Sequence, residues 1–170
     1  MSEHTDLLAT LAQSRFFLRN TTRDLTDEQA GMHTTVSALC LGGLIKHVAD
    51  AEEKWVNFIL EGPSAIGGGK NFTEWTEEDY AQHETSFQMQ PGDTLAGVLE
   101  RYEQVARRTD ELVPTLDLDA SHPLPEAPWF EPGARWSARR VLMNIVAETT
   151  HHSGHADIIR EALDGAKSMG

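Results

Sequence analysis

Four stretches of the chain repeat apolar residues at intervals of three and four, and almost none alternates them with polar ones. A period near 3.6 residues puts such side chains on one face of an α-helix. The last stretch is the clearest. Ser137 can cap it, Leu142, Ile145, Val146, Thr149, Ala156 and Ile159 form one stripe, and Gly165 can end it. A helix is therefore expected from Ala138 to near Leu163.

The other three follow the same rule. Thr5 to Asn20 carries Leu7, Leu8, Leu11, Phe16, Phe17 and Leu18. A second long helix is expected from near Ser37 to Glu61, stopped by Gly62-Pro63, with Gly42 and Gly43 weakening its first turns. The third, from near Asp93 to Val113, has Leu95, Val98, Leu99, Tyr102, Val105, Ala106 and Leu112 inside and Pro114 behind it. Thr26 and Thr76 can cap shorter helical pieces at 25–31 and 76–88. The glycines of 64–75 suggest a flexible loop, and four prolines make 116–136 a long ordered loop with at most a short strand pair. The expected fold class is all-α. Four helices with one apolar stripe each pack most simply as a four-helix bundle, here one domain over 1–170, and the long connections leave an up-down-down-up topology open.

Charge narrows the function classes. The 170-residue chain has 14 basic and 27 acidic residues, a net charge of −13. Nucleic-acid binding draws on clustered Lys and Arg, so neither nucleic acid nor an anionic membrane surface is an expected partner. No apolar run approaches a bilayer span, and the N-terminus lacks a signal peptide's basic and apolar regions, so a cytoplasmic location is expected. Cys40 is the sole cysteine, which excludes an internal disulfide and a cysteine-based zinc cluster; between Leu39 and Leu41 it reads as a small buried hydrophobe.

The chemistry concentrates in ETTHHSGHAD, residues 148–157. On a helix, side chains four apart share a face about 6 Å apart along the axis. Glu148 and His152 are so related and lie close to the buried stripe, whereas His151 points about 100° away from His152. A carboxylate and an imidazole facing the interior need a partner. His47, among Leu44, Ile45 and Val48, is the best candidate. Two imidazoles and a carboxylate match catalytic zinc sites and related non-haem iron triads. They equally match a structural histidine–carboxylate pair, and spacing does not choose between the two.

The segments LCLGGLIKHVADAEEKWV (39–56) and RWSARRVLMNIVAETTHHSGHADIIREALDG (135–165) resemble the DinB-like superfamily, in a branch of unassigned function related to mycothiol-dependent maleylpyruvate isomerase. The resemblance covers most of the chain, and the loops match poorly. It implies a four-helix bundle of up-down-down-up connectivity holding a divalent metal through His47, Glu148 and His152, with Glu then His as in the mycothiol-dependent isomerases. His155, where many relatives have Gln, is then a neighbour of the site able to bond metal-bound water or orient a ligand. His151 falls on the rim. Glu52 and Asp157 are candidate acceptors behind the ligands or part of a solvated acidic face, and Arg160 is expected in a salt bridge to Glu or Asp in preference to meeting an anionic substrate.

The implied cofactor is zinc, with nickel or iron also suited to these ligands, and the implied cosubstrate is a low-molecular-weight thiol. The implied activity is thiol S-transfer or isomerisation of a small electrophile. Two other readings stay open: metal-assisted hydrolysis with His155 as base, and a non-catalytic, stress-related bundle that binds metal or ligand. The resemblance leaves a homodimer open. The four tryptophans are expected as core or cavity walls, with Trp129-Phe130 over a pocket mouth, and His4, His33, His83 and His122 without a role.

Overall fold

The computed structural model describes residues 2–67 and 70–168. Its elements are α1 (Glu3–Asn20), α2 (Asp27–Gly31), α3 (Leu41–Glu61), α4 (Glu77–Thr85), α5 (Leu95–Leu112), β1 (Ser121–Pro123), β2 (Arg135–Ser137) and α6 (Ala138–Asp164). The fold is mainly helical. Helix α6 packs on α1 and α3, and α3 packs on α5. The only strands among the described residues are antiparallel β1 and β2, in register Ser121↔Ser137, within the proline-rich connection. The middle of the glycine loop, 68 and 69, lies outside the described residues.

Side-chain caps set most helix starts. The hydroxyls of Ser2, Thr26, Thr76, Thr94 and Ser137 each accept from a backbone N–H of the first turn. Ser2 starts α1 two residues before the expected Thr5. Helix α6 ends where Gly165 takes a left-handed conformation, φ 79°.

Helix α3 begins at Leu41 instead of near Ser37. Thr35 Oγ1 accepts from Ser37 N–H and Ser37 Oγ from Leu39 N–H, which holds that stretch in non-helical turns. Gly42 and Gly43 then lie inside the helix, both buried. A Cβ on Gly43 would sit 1.8 Å from the Phe87 carbonyl oxygen, and one on Gly42 would sit 2.4 Å from Met89 Sδ. The glycines let the 87–89 segment lie against the helix backbone. Their helical cost is offset by close packing.

Two apolar clusters form the core. One gathers Leu18, Leu44, Ile45, Val48, Tyr102 and Ala156; the other gathers Leu11, Val56, Phe58, Val113, Leu142 and Ile145. Between them in sequence, on three helices, lies a buried polar group. Arg15 grips Glu52 with Nε at 3.1 Å and Nη2 at 2.5 Å, Thr109 Oγ1 donates to Glu52 at 2.6 Å, and Arg15 Nη1 reaches Asp110 at 2.7 Å. The Glu52 side chain is 0% exposed. Burial alone would lower the Arg15 pKa, but its bonds to Glu52 and Asp110 outweigh burial and hold it above the ordinary value.

No described helix is long and apolar enough to cross a membrane. Three stability tests follow from the packing. Gly43→Ala is expected to cost about 1–3 kcal/mol in urea unfolding, because the 87–89 backbone must move. Gly154→Ala in α6, whose Cβ would meet nothing within 4 Å, should be neutral or stabilising by up to about 1 kcal/mol. Glu52→Ala strands a buried guanidinium and is expected to cost about 3–5 kcal/mol, whereas paired Arg15→Met and Glu52→Leu should recover most of that loss.

Candidate metal centre

Helix α3 presents His47 beside the buried Leu44, Ile45 and Val48, and α6 presents Glu148 and His152 one turn apart. The two helices bring these groups together from 101 residues apart in sequence. Glu148 Oε1 lies 3.2 Å from His47 Nε2 and 3.1 Å from His152 Nε2. Each histidine side chain is 11% exposed, and the Glu148 side chain is 34% exposed. Bonds from His152 and His47 hold the Glu148 carboxyl well below the usual carboxylate range, against the upward pull of burial. The carboxylate is anionic at neutral pH.

These groups fit a metal ion. One donor atom from each residue lies within 4.8 Å of the others. Tetrahedral zinc with bonds near 2.0–2.2 Å separates its ligand atoms by about 3.3 Å, close to the two nitrogen–oxygen distances here. Neutral imidazole and carboxylate are also the right donors for a borderline divalent ion.

Neighbouring rings hold the two imidazoles in place. The His47 ring stacks on Phe87 at 3.8 Å and 20°, and meets the His152 ring edge-on at 5.0 Å. His155 Nδ1 lies 3.4 Å from His152 Nδ1, on the side of that ring away from the Nε2 facing Glu148. His151 is exposed, as helical geometry predicts, with its ring 4.6 Å from that of His155. Burial, then the charges of His151 and His152, lower the His155 pKa from its ordinary value.

His47 and Glu148 line a cavity of about 490 Å³. Its walls are aromatic: Trp55 from α3, Phe72 and Trp75 from the following connection, Tyr80 from α4, and Trp129 from the proline-rich segment. Trp129 is 59% exposed and tilts against Phe72 at 4.9 Å, while Trp136 stacks behind Trp55 at 5.0 Å. His155 is not among the described residues lining this cavity. A second cleft of about 470 Å³ between α1 and α5 has no histidine, and its Arg15 and Arg19 already pair with Asp110 and Glu103.

Several residues differ from expectation. His83, expected to have no role, lines the cavity from α4, 6.0 Å from the His47 ring; burial, then the His47 and Lys54 charges, lower its pKa. The spacing Tyr80, His83, Phe87 was the available signal, since three and seven residues share a helical face. Glu52 turns to Arg15 instead of backing a ligand, and Asp157 accepts from Ser168. Arg160 pairs with Asp164, as expected, and also donates to the carbonyls of Thr21 and Arg23. His4 and His122 tie loops and helix ends through the Leu116 and Ile59 carbonyls.

The model of one protein family, described as mycothiol-S-transferase, matches residues 6–165. The chain belongs to the mycothiol-S-transferase family. Comparison with curated proteins and with solved structures gave no match. The family match spans the four long helices and both segments that carry the histidine–glutamate group, in line with the DinB-like resemblance of those segments.

Elemental analysis of the purified protein is expected to find about one divalent ion per chain. His47→Ala, Glu148→Ala and His152→Ala should each lose it. His155→Ala should keep the site but weaken it about 10–100-fold. Wild-type metal content in His152→Ala would count against the triad.

Proposed function

We propose that this mycothiol-S-transferase family member is a metal-dependent enzyme that joins a low-molecular-weight thiol to a small electrophile, or isomerises that electrophile through the thiol. The observation that carries the reading is the His47, Glu148 and His152 group, of which His47 and Glu148 line an aromatic cavity, in a chain of this family. The four long helices support a DinB-like four-helix bundle of up-down-down-up connectivity, forming one domain. A thiol-rich cytoplasm suits a chain whose single cysteine, Cys40, is buried.

When bound, a divalent ion, zinc foremost, supplies positive charge that lowers the pKa of an adjacent thiol. The chain's own residues do the rest. Glu148 contributes an anionic oxygen that offsets part of the ion's charge. His155 holds the Nδ1 side of His152, so Nε2 stays aimed at the site. Phe87 keeps the His47 ring flat against its face. The indole and phenyl walls hold a flat apolar electrophile and exclude water, which favours sulfur over water as nucleophile. In transfer, the thiol sulfur bonds to the electrophilic carbon, the leaving group departs with its bonding pair, and the thiol proton passes to solvent. In isomerisation the carbon–sulfur bond forms and later breaks, returning the thiol.

The test is consumption of a chromogenic electrophile by metal-loaded protein, with and without mycothiol. Turnover is expected only with thiol, and should fall about 10²–10³-fold in His47→Ala. Equal turnover without thiol would point to hydrolysis. Metal binding without turnover of any electrophile would point to a binding protein.

A further inference from the structure

One cation on the wall of the aromatic cavity has no side-chain partner among the described residues. The cavity's titratable lining comprises His47 and Glu148, which bond each other, His83 on α4, and Asp50 and Lys54 on α3. Asp50 is held by Arg101 Nη2 at 3.1 Å, and the same guanidinium holds Glu53 at 2.8 Å. No ion pair or hydrogen bond engages Lys54 Nζ among the described residues. Lys46, which lines the adjoining polar cavity, is already committed to Asp93 at 2.6 Å and to the Gln88 carbonyl at 3.2 Å. A chain of net charge −13 repels anions, so any anion drawn into this cavity needs a local cation.

We propose that Lys54 is the anion-binding residue of this cavity, which makes the preferred ligand a planar aromatic or unsaturated molecule bearing a carboxylate. The assignment rests on the cavity being the transferase site and names the substrate class of that site. Lys54 follows His47 by seven residues, so both lie on one face of α3, about 10 Å apart along the axis. The lysine stem is about as long as one helical turn, so Nζ can meet an anion about 5–10 Å from the histidine–glutamate group. Trp55 and Trp75 line the same cavity, and their faces suit a flat apolar body. One end of the ligand then meets the ammonium, its ring meets indole, and its reactive carbon faces the thiol.

Trp55, Trp75 and Trp129 line the cavity, so tryptophan fluorescence reports occupancy without turnover. The probes are 2-naphthoate and the neutral 2-naphthamide, titrated into the metal-loaded full chain at low ionic strength. Naphthoate is expected to bind about 2- to 5-fold more tightly, as suits one partly exposed ion pair. Lys54→Met should remove that preference, Lys54→Glu should reverse it, and Lys54→Arg should restore it. Lys54 is exposed on its helix, so these variants should fold, which circular dichroism checks. The preference should also survive chelation of the metal.

Equal affinities in the wild type, failure of both probes to bind, or a preference retained in Lys54→Met would overturn the assignment. So would a preference that disappears with the metal, since the carboxylate would then sit on the ion. A carboxylate preference without thiol-dependent turnover would sink the transferase reading and leave Lys54 as an anion site. Turnover of neutral electrophiles with no such preference would do the reverse.

Discussion

The bidentate bond between Arg15 and Glu52 is the contact around which the helices are arranged. A sealed carboxylate is tolerable only beside a permanent cation with its other lone pairs satisfied. Here the guanidinium comes from α1, the carboxylate from α3 and a hydroxyl from α5. Satisfying Glu52 therefore sets how three helices face one another, and the apolar clusters fill in on either side of it. His47 precedes Glu52 on the same rigid helix, so fixing α3 at Glu52 also fixes where the imidazole can point.

Glu52 and Glu148 are the same side chain under two kinds of constraint. Glu52 meets a guanidinium that never gives up its charge, and no solvent reaches it. Glu148 meets two imidazoles, whose nitrogens can exchange a proton for a metal, and it borders an open cavity. The first arrangement can only hold helices together. The second can exchange partners, and that difference separates the structural carboxylate from the one proposed to hold a metal more firmly than burial does.

Much of this was legible in the chain. The caps Thr26, Thr76 and Ser137, the terminator Gly165 and the inner stripe of α6 all act within a turn or two, where neighbouring residues decide the outcome. Gly42 and Gly43 were harder, because their purpose lies in the Phe87 carbonyl and Met89 side chain of a distant segment. His83 was missed for the same reason. Its helix is short and mostly polar, so Tyr80, His83 and Phe87 gave only a faint inward face, and packing beside His47 and Trp75 supplies the rest.

By itself, then, the sequence determined the helices, their inner faces and the pairing of Glu148 with His152, because four residues on a helix share a face whatever else the chain does. The tertiary structure decided which carboxylate was sealed by Arg15, which imidazole crossed 101 positions to meet Glu148, and which aromatic rings walled the cavity. Those choices depend on distances between helices and loops, and a repeat of three and four residues carries no information about them.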